Sequence, residues 1–145
     1  MLKNMSKIIT GDLLKILCDM GHGNTVAIVD ANYPAESMGK RVVRFSGVDS
    51  TTLLEAIMPF FPIDRYCDHA AMTMGLTESD KAKGMPDPAV WAEYDRVIKF
   101  DPEYKGLYTL DRNEFYEASK VAYAIIQTGE ERLYGNLLLV KGVVE

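Results

Sequence analysis

Cysteine and histidine are both scarce here, with two of each in 145 residues. Cys18 and Cys67 form no CxxC motif and have no histidine at ligand spacing. That excludes a disulfide framework and the usual zinc-site patterns, and it reads as two reduced thiols in apolar core surroundings. No stretch approaches the ~20 apolar residues that a membrane span needs. The start, Met1-Leu-Lys-Asn-Met-Ser-Lys-Ile-Ile, has two lysines but lacks the apolar run of a secretory signal. The expected location is therefore cytoplasmic, with no membrane partner. Lys and Arg nowhere concentrate, and the net charge is -5, which argues against nucleic acid as a partner. Internal repeats and low-complexity tracts are missing. So are a P-loop, a GxGxxG fingerprint, a Gly-x-Ser-x-Gly elbow and a Ser-His-Asp order.

What is present is ordinary globular composition, 48% hydrophobic and 26% charged, at a length that suits a single domain over 1–145. Residues 10–21 read as a helix capped by Thr10, with Leu13, Leu14, Leu17 and Met20 on one face and Gly21 in the left-handed position after its end. Thr25–Asp30 is an apolar, β-branched run of the kind covered on both faces of an α/β sheet. Residues 32–39 read as a loop. Further strands are expected at 41–45, 70–74, 107–110 and 137–140. Helices are expected after Asp49, after Pro88 and after Asp111, where Glu114 completes a capping box. Residues 77–88 read as an exposed connection. The run 123–128 suits either the end of a helix or a strand. Strands alternating with helices predict a three-layer α/β domain, with a largely parallel central sheet flanked by helices.

Few residues invite chemistry. His22 sits between two glycines, after a helix and before a strand. An imidazole there is either an exposed turn residue near a helix terminus or a general acid/base, since its ordinary pKa of ~6.5 suits proton exchange at neutral pH. His69, beside Asp68, reads as structural. Asp30 ends the first strand, where open α/β sheets gather ligands. It is either a loop cap or an acceptor for two sugar hydroxyls. In Tyr134-Gly135-Asn136, the side chains supply donors and acceptors, and Gly135 permits close approach of a ligand to backbone. Arg112 stands at a helix start, where the dipole disfavours a cation. A ligand contact accounts for that placement, and so does plain solvent exposure.

Longer strings carry more information. Asp19-Met-Gly-His-Gly23, Val29-Asp-Ala31, Tyr33-Pro-Ala35, Ser37-Met-Gly39, Phe115-Tyr-Glu-Ala118, Thr128-Gly-Glu130, Tyr134-Gly-Asn136 and Lys141-Gly-Val143 run collinearly. In these blocks the chain resembles the L-fucose mutarotase family, which is related to D-ribose pyranase. The resemblance is weakest over residues 76–105. It implies a cofactor-free and metal-free isomerase that opens and recloses a monosaccharide ring. It implies His22 as proton donor, Asp30 and Arg112 as sugar ligands, and Tyr134, Gly135 and Asn136 as the opposite wall. Arg112 matches the fucose branch, since the ribose branch carries His there. Asn32 and Glu36 depart from the fucose pattern, which has His at both places.

Ring opening needs one group to protonate the ring oxygen and another to take the anomeric hydroxyl proton. His22 is the acid in this reading. Tyr134, Asp30 or a bound water is the base. Six strand residues at ~3.3 Å each separate His22 from Asp30 by about 20 Å. One sugar cannot bridge that distance, so the resemblance to ring-shaped oligomers, decameric in the family, implies a site shared between chains. The alternatives are a mutarotase for ribose or another reducing sugar, and a non-enzymatic sugar-binding protein linked to uptake. A purely structural oligomer-forming domain would need none of these side chains.

Overall fold

The computed structural model describes residues 2–144. One sheet of six strands carries the fold. In chain order the strands are β1 (Thr25–Val29), β2 (Val42–Phe45), β3 (Ala71–Met74), β4 (Tyr108–Leu110), β5 (Ala124–Thr128) and β6 (Leu137–Val140). In space they run β2-β5-β1-β6-β3-β4. The β2–β5, β1–β5 and β3–β4 pairs are parallel, and β6 is antiparallel to both β1 and β3. The sheet is thus mixed, with five strands pointing one way and β6 inserted against them. The ambiguous run at 123–128 is a strand.

The strand side chains explain the layers, because successive residues face opposite sides. Val26 and Ile28 of β1, Ala124 and Ile126 of β5, and Leu137 and Leu139 of β6 point into one apolar cluster. That side is covered by α1 (Gly11–Asp19), α3 (Ser50–Ile57) and α5 (Ala89–Ile98). Ala27, Val29, Ile125 and Leu138 point the other way, against Tyr33, Ala35 and Phe115. Ala35 belongs to the short helix α2 (Ala35–Met38), and Phe115 to α6 (Arg112–Val121). Burial on both faces is why the central strands read as continuous apolar runs.

Local signals act as expected at several helix starts. The Thr10 side chain accepts the Leu13 N–H, Asp49 caps α3, and Asp111 with Glu114 forms a reciprocal capping box on α6.

Several details differ from the sequence reading. Helix α1 ends at Asp19, and Met20 is already extended, so no left-handed residue follows it directly. The positive φ, 78°, falls on Gly23. Residues 35–38 and 78–82 are helical; the second is α4 (Glu78–Ala82), capped by Thr77. The thiols are not in the core. Cys18 is exposed, because Leu13, Ile16 and Leu17 define the buried stripe of α1, and Cys67 lies half-buried on a loop. His69 stacks on Tyr108, ring centroids 3.7 Å apart, at the edge strand β4.

Candidate functional site

Five parallel strands end on the same side of the sheet, and β6 begins there. Their termini bring Asp30, Arg112 and Asn136 to one rim, although 106 positions separate Asp30 from Asn136. The Asp30 backbone N–H donates to Asn136 Oδ1 at 3.0 Å, and Asn136 Nδ2 donates to Asp30 Oδ2 at 2.7 Å. The Asn32 N–H donates to Asp30 Oδ1 at 2.9 Å. Asp30 therefore serves as the cap of its own loop while also facing Asn136. Burial pushes its carboxyl above the ordinary value, against the pull of the Asn136 and Asn32 bonds.

Tyr134 has a φ of 62°, a left-handed conformation that costs a non-glycine residue about 1–3 kcal/mol. Its surroundings hold it there. Trp91 Nε1 donates to the Tyr134 carbonyl at 3.1 Å. The phenol donates its proton to Asp80 Oδ2 at 2.5 Å and accepts the Thr77 N–H at 3.2 Å. The bond from Tyr134 is the main reason the Asp80 carboxyl lies below its ordinary value.

The loop that presents Tyr134 is anchored from below by Glu130, which is 2% exposed. Ser50 Oγ donates to Glu130 Oε2 at 2.7 Å. The Arg132 backbone N–H and guanidinium donate to the same carboxylate at 2.8–3.0 Å. Burial alone would raise this acid, but the Arg132 and Ser50 hydrogen bonds outweigh it and lower it to about 2. A Cβ at Gly135 would lie 2.5 Å from Glu130 Cγ and 3.2 Å from the Arg132 carbonyl. Glycine at 135 thus lets the loop close on its own anchor.

A cavity of about 240 Å³ opens among these groups, lined by Asp30, Asn32, Met74, Arg112, Tyr134 and Asn136, among others. Gly135 does not line it. Arg112, the first residue of α6, lies over the Tyr116 ring at 5.6 Å and is among the residues that line the cavity. A larger groove of about 1030 Å³ adjoins and shares Arg112, but it contains neither Asp30 nor Asn136. The smaller cavity is the candidate site, because buried polar groups with fixed partners converge on it. Of the two departures from the fucose pattern, Asn32 lines the cavity, whereas Glu36 pairs with Arg44 at 3.1 Å. Sequence reading missed Asp80, Tyr33 and Tyr116. Asp80 lies in a polar connection with no motif, and Tyr33 and Tyr116 stand only within the collinear strings, with no chemistry assigned to them.

His22 is not in this cavity. It precedes β1 and so lies at the opposite end of the sheet. There its Nε2 is 3.0 Å from Asp64 Oδ1, and Tyr66 meets the ring edge-on at 5.5 Å. The imidazole is about half exposed, 48%. Among the described residues no cluster of three or more His, Cys, Asp or Glu could hold a metal, and no helix is long and apolar enough to cross a membrane.

The chain is similar to known proteins in sequence and in fold. The fucose mutarotase of Mus musculus is 40% identical over 147 residues, 99% of this chain and 95% of the mouse chain. The crystal structure of the fucose mutarotase from Streptococcus pneumoniae in complex with L-fucose superimposes with a TM-score of 0.91 at 40% identity, covering 99% of this chain and 100% of that one. Bacillus subtilis RbsD complexed with D-ribose covers both chains fully with a TM-score of 0.72 at 22% identity, a likeness of fold. The match to the RbsD / FucU transport protein family extends over residues 3–144, and the chain belongs to that family.

Proposed function

We propose that this chain is an L-fucose mutarotase, an isomerase that interconverts the α and β anomers by acid–base ring opening and closure. One observation carries the reading. The Asp30–Asn136 cavity sits at the strand carboxyl ends of a fold that matches a fucose mutarotase holding L-fucose. Residues 1–145 act as one mutarotase domain, in keeping with a sheet that draws strands from both halves of the chain.

Each group has a task set by its chemistry. Asp30 and Asn136 accept and donate to sugar hydroxyls, and Arg112 supplies a cation at the rim. The Tyr134 proton is committed to Asp80, so its oxygen meets the sugar as an acceptor, which suits the basic side of the reaction. The Tyr134-Gly135-Asn136 loop forms one wall. Gly135 shapes that loop and has no contact of its own with the cavity.

The acid is His22, delivered by a neighbouring chain. A ring oxygen gains its proton, the C1–O5 bond breaks, and the anomeric hydroxyl yields its proton as C1 becomes an aldehyde. Rotation about C1–C2 and the reverse steps close the other anomer. No hydride moves and no covalent intermediate is needed, so the scheme uses no cofactor. A homo-oligomeric ring, decameric by family resemblance, would bring the two ends together. A cytoplasmic location fits the free thiols of Cys18 and Cys67.

Saturation-transfer NMR on a panel of reducing sugars tests the reading. Anomeric exchange of L-fucose should accelerate strongly on adding protein, and that of D-ribose much less. Binding of L-fucose with no change in exchange would leave a sugar-binding protein and no enzyme. A preference for another sugar would point to Asn32, the altered residue at the cavity wall.

A further inference from the structure

Helices α4 and α6 start with the same kind of cap but close it differently. In α6 the Asp111 side chain accepts the Glu114 N–H at 2.9 Å, and Glu114 reaches back to accept the Asp111 N–H at 3.0 Å. That is the reciprocal capping box. In α4 the first half is present, since Thr77 Oγ1 accepts the Asp80 N–H at 3.2 Å. The second half is replaced. The Thr77 N–H donates to Tyr134 Oη at 3.2 Å, and Tyr134 donates its own proton to Asp80 Oδ2 at 2.5 Å. The acid is one carbon shorter than glutamate, and a phenol from 54 positions along the chain fills the gap. Thr77 Oγ1 also donates to Asp80 Oδ2 at 3.0 Å, and Lys83 Nζ lies 3.6 Å from Oδ1. The Met85 N–H donates to the Asp80 carbonyl at 3.0 Å and ties down the far end of the turn. A phenol oxygen has one hydrogen and two lone pairs. Asp80 takes the hydrogen and Thr77 one lone pair. The other lone pair is left for the cavity, which Asp80 and Tyr134 both line beside Asp30 and Asn136.

We infer that Asp80 is the positioning residue of Tyr134, and that through the phenol it receives the proton the sugar gives up. The anomeric hydroxyl passes its proton to Tyr134 Oη as the phenol passes its own to Asp80 Oδ2. One O–H bond forms on Oη while the other breaks, so Tyr134 stays neutral and no charge is left on the ring. On the far side of the sugar the ring oxygen gains a proton from the acid as C1–O5 breaks. Ring closure runs both transfers backwards. Alone, a phenol that has given its hydrogen to a partner can only accept a hydrogen bond. With a carboxylate behind it, the same phenol can take a proton and hand one on. The carboxylate is ready for this, because hydrogen bonds from Tyr134 and Thr77 hold Asp80 below its ordinary value and keep it ionised at neutral pH.

This rests on L-fucose mutarotation being the reaction and on Tyr134 serving its basic side, and the test separates the claims. Asp80→Asn keeps the size of the side chain and the Thr77 cap but cannot take a proton. Its kcat for L-fucose exchange should fall about 100-fold, the low end for a positioned base, with KM little changed. In a Tyr134→Phe background the same substitution should cost nothing further, because Asp80 acts only through the phenol. Tyrosine labelled with ¹³C at Cζ gives a readout that needs no activity. Tyr134→Phe picks the Tyr134 signal out of the eight tyrosines, and that signal should shift in Asp80→Asn. Wild-type kcat in Asp80→Asn overturns the inference, and so do losses that multiply in the double variant. An unmoved Cζ signal overturns it as well. Full exchange in folded Tyr134→Phe removes the role of Tyr134 and this inference with it. A wild-type protein that exchanges no L-fucose defeats the proposed function instead.

Discussion

Arg112 shows how one residue's oddity in sequence becomes intelligible in space. A cation at the first position of a helix opposes the helix dipole and adds little to stability. The side chain instead lies over Tyr116 and lines the cavity. Arg112→His should therefore leave the melting free energy within about 0.5 kcal/mol of wild type, as is usual for surface changes. L-Fucose exchange should fall clearly. Thermal denaturation together with exchange NMR checks both halves. A collapse in stability with normal exchange per folded molecule would make Arg112 a structural residue. Asp30 is a different case. Its two readings, loop cap and sugar ligand, coexist, because one oxygen accepts the Asn32 N–H and the other faces Asn136.

At the scale of elements, the loop from Gly129 to Asn136 is built around the buried Glu130 carboxylate. Three groups serve that anchor: Ser50 at the start of α3, Arg132 within the loop, and Glu93 of α5, which grips Arg132 at 2.6 Å. Glu130→Gln keeps the shape and removes the charge. The expected cost at neutral pH is about 2–3 kcal/mol, measured by urea unfolding, from a folded pKa well below the unfolded one. The sign follows from that depression. The ionised carboxylate favours folding above its ordinary value of 4.5, and this contribution fades as pH falls toward about 2. The gap between wild type and Glu130→Gln should therefore narrow in acid. A gap independent of pH would show that the charge contributes nothing.

The same scale marks the limits of local reading. Asp111 and Glu114 cap α6 from within four residues, so sequence sees them. The strand at 124–128 needs β1 and β2 on either side to be distinguished from helix. Periodicity cannot supply those neighbours. Gly23 takes the positive φ that Gly21 was expected to have, because the chain leaves α1 extended and only then turns.

At the scale of the molecule, the two halves of the proposed chemistry lie at opposite ends of the sheet. Asp30, Tyr134 and Asn136 stand at the carboxyl ends of the parallel strands, and His22 with Asp64 stands at the other end. The five residues of β1 lie between them. Activity should then depend on assembly. A His22→Gln protein and an Asn136→Ala protein, each inactive alone, should regain part of the exchange when unfolded together and refolded as mixed oligomers. Some interfaces would carry both intact groups. No recovery in well-formed mixed oligomers, or a fully active monomer, would place both residues' work within one chain.

By itself the sequence determined the alternation of strands and helices, the caps of α1, α3 and α6, and the collinear blocks that resemble a mutarotase family. All of these depend on neighbours within a few residues or on strings compared in order. Tertiary structure alone decided that β6 runs against the other strands, that Cys18 faces solvent, and that Asp80 holds Tyr134. It also decided that Glu130 supports the site loop from beneath and that Asp64 stands behind His22. Those partners lie 42 to 106 positions apart in the chain, as with His22 and Asp64 or Asp30 and Asn136. Their pairing is settled by the order and direction of strands in the sheet. That order follows from burying both faces of the sheet at once, and no short window of residues records it.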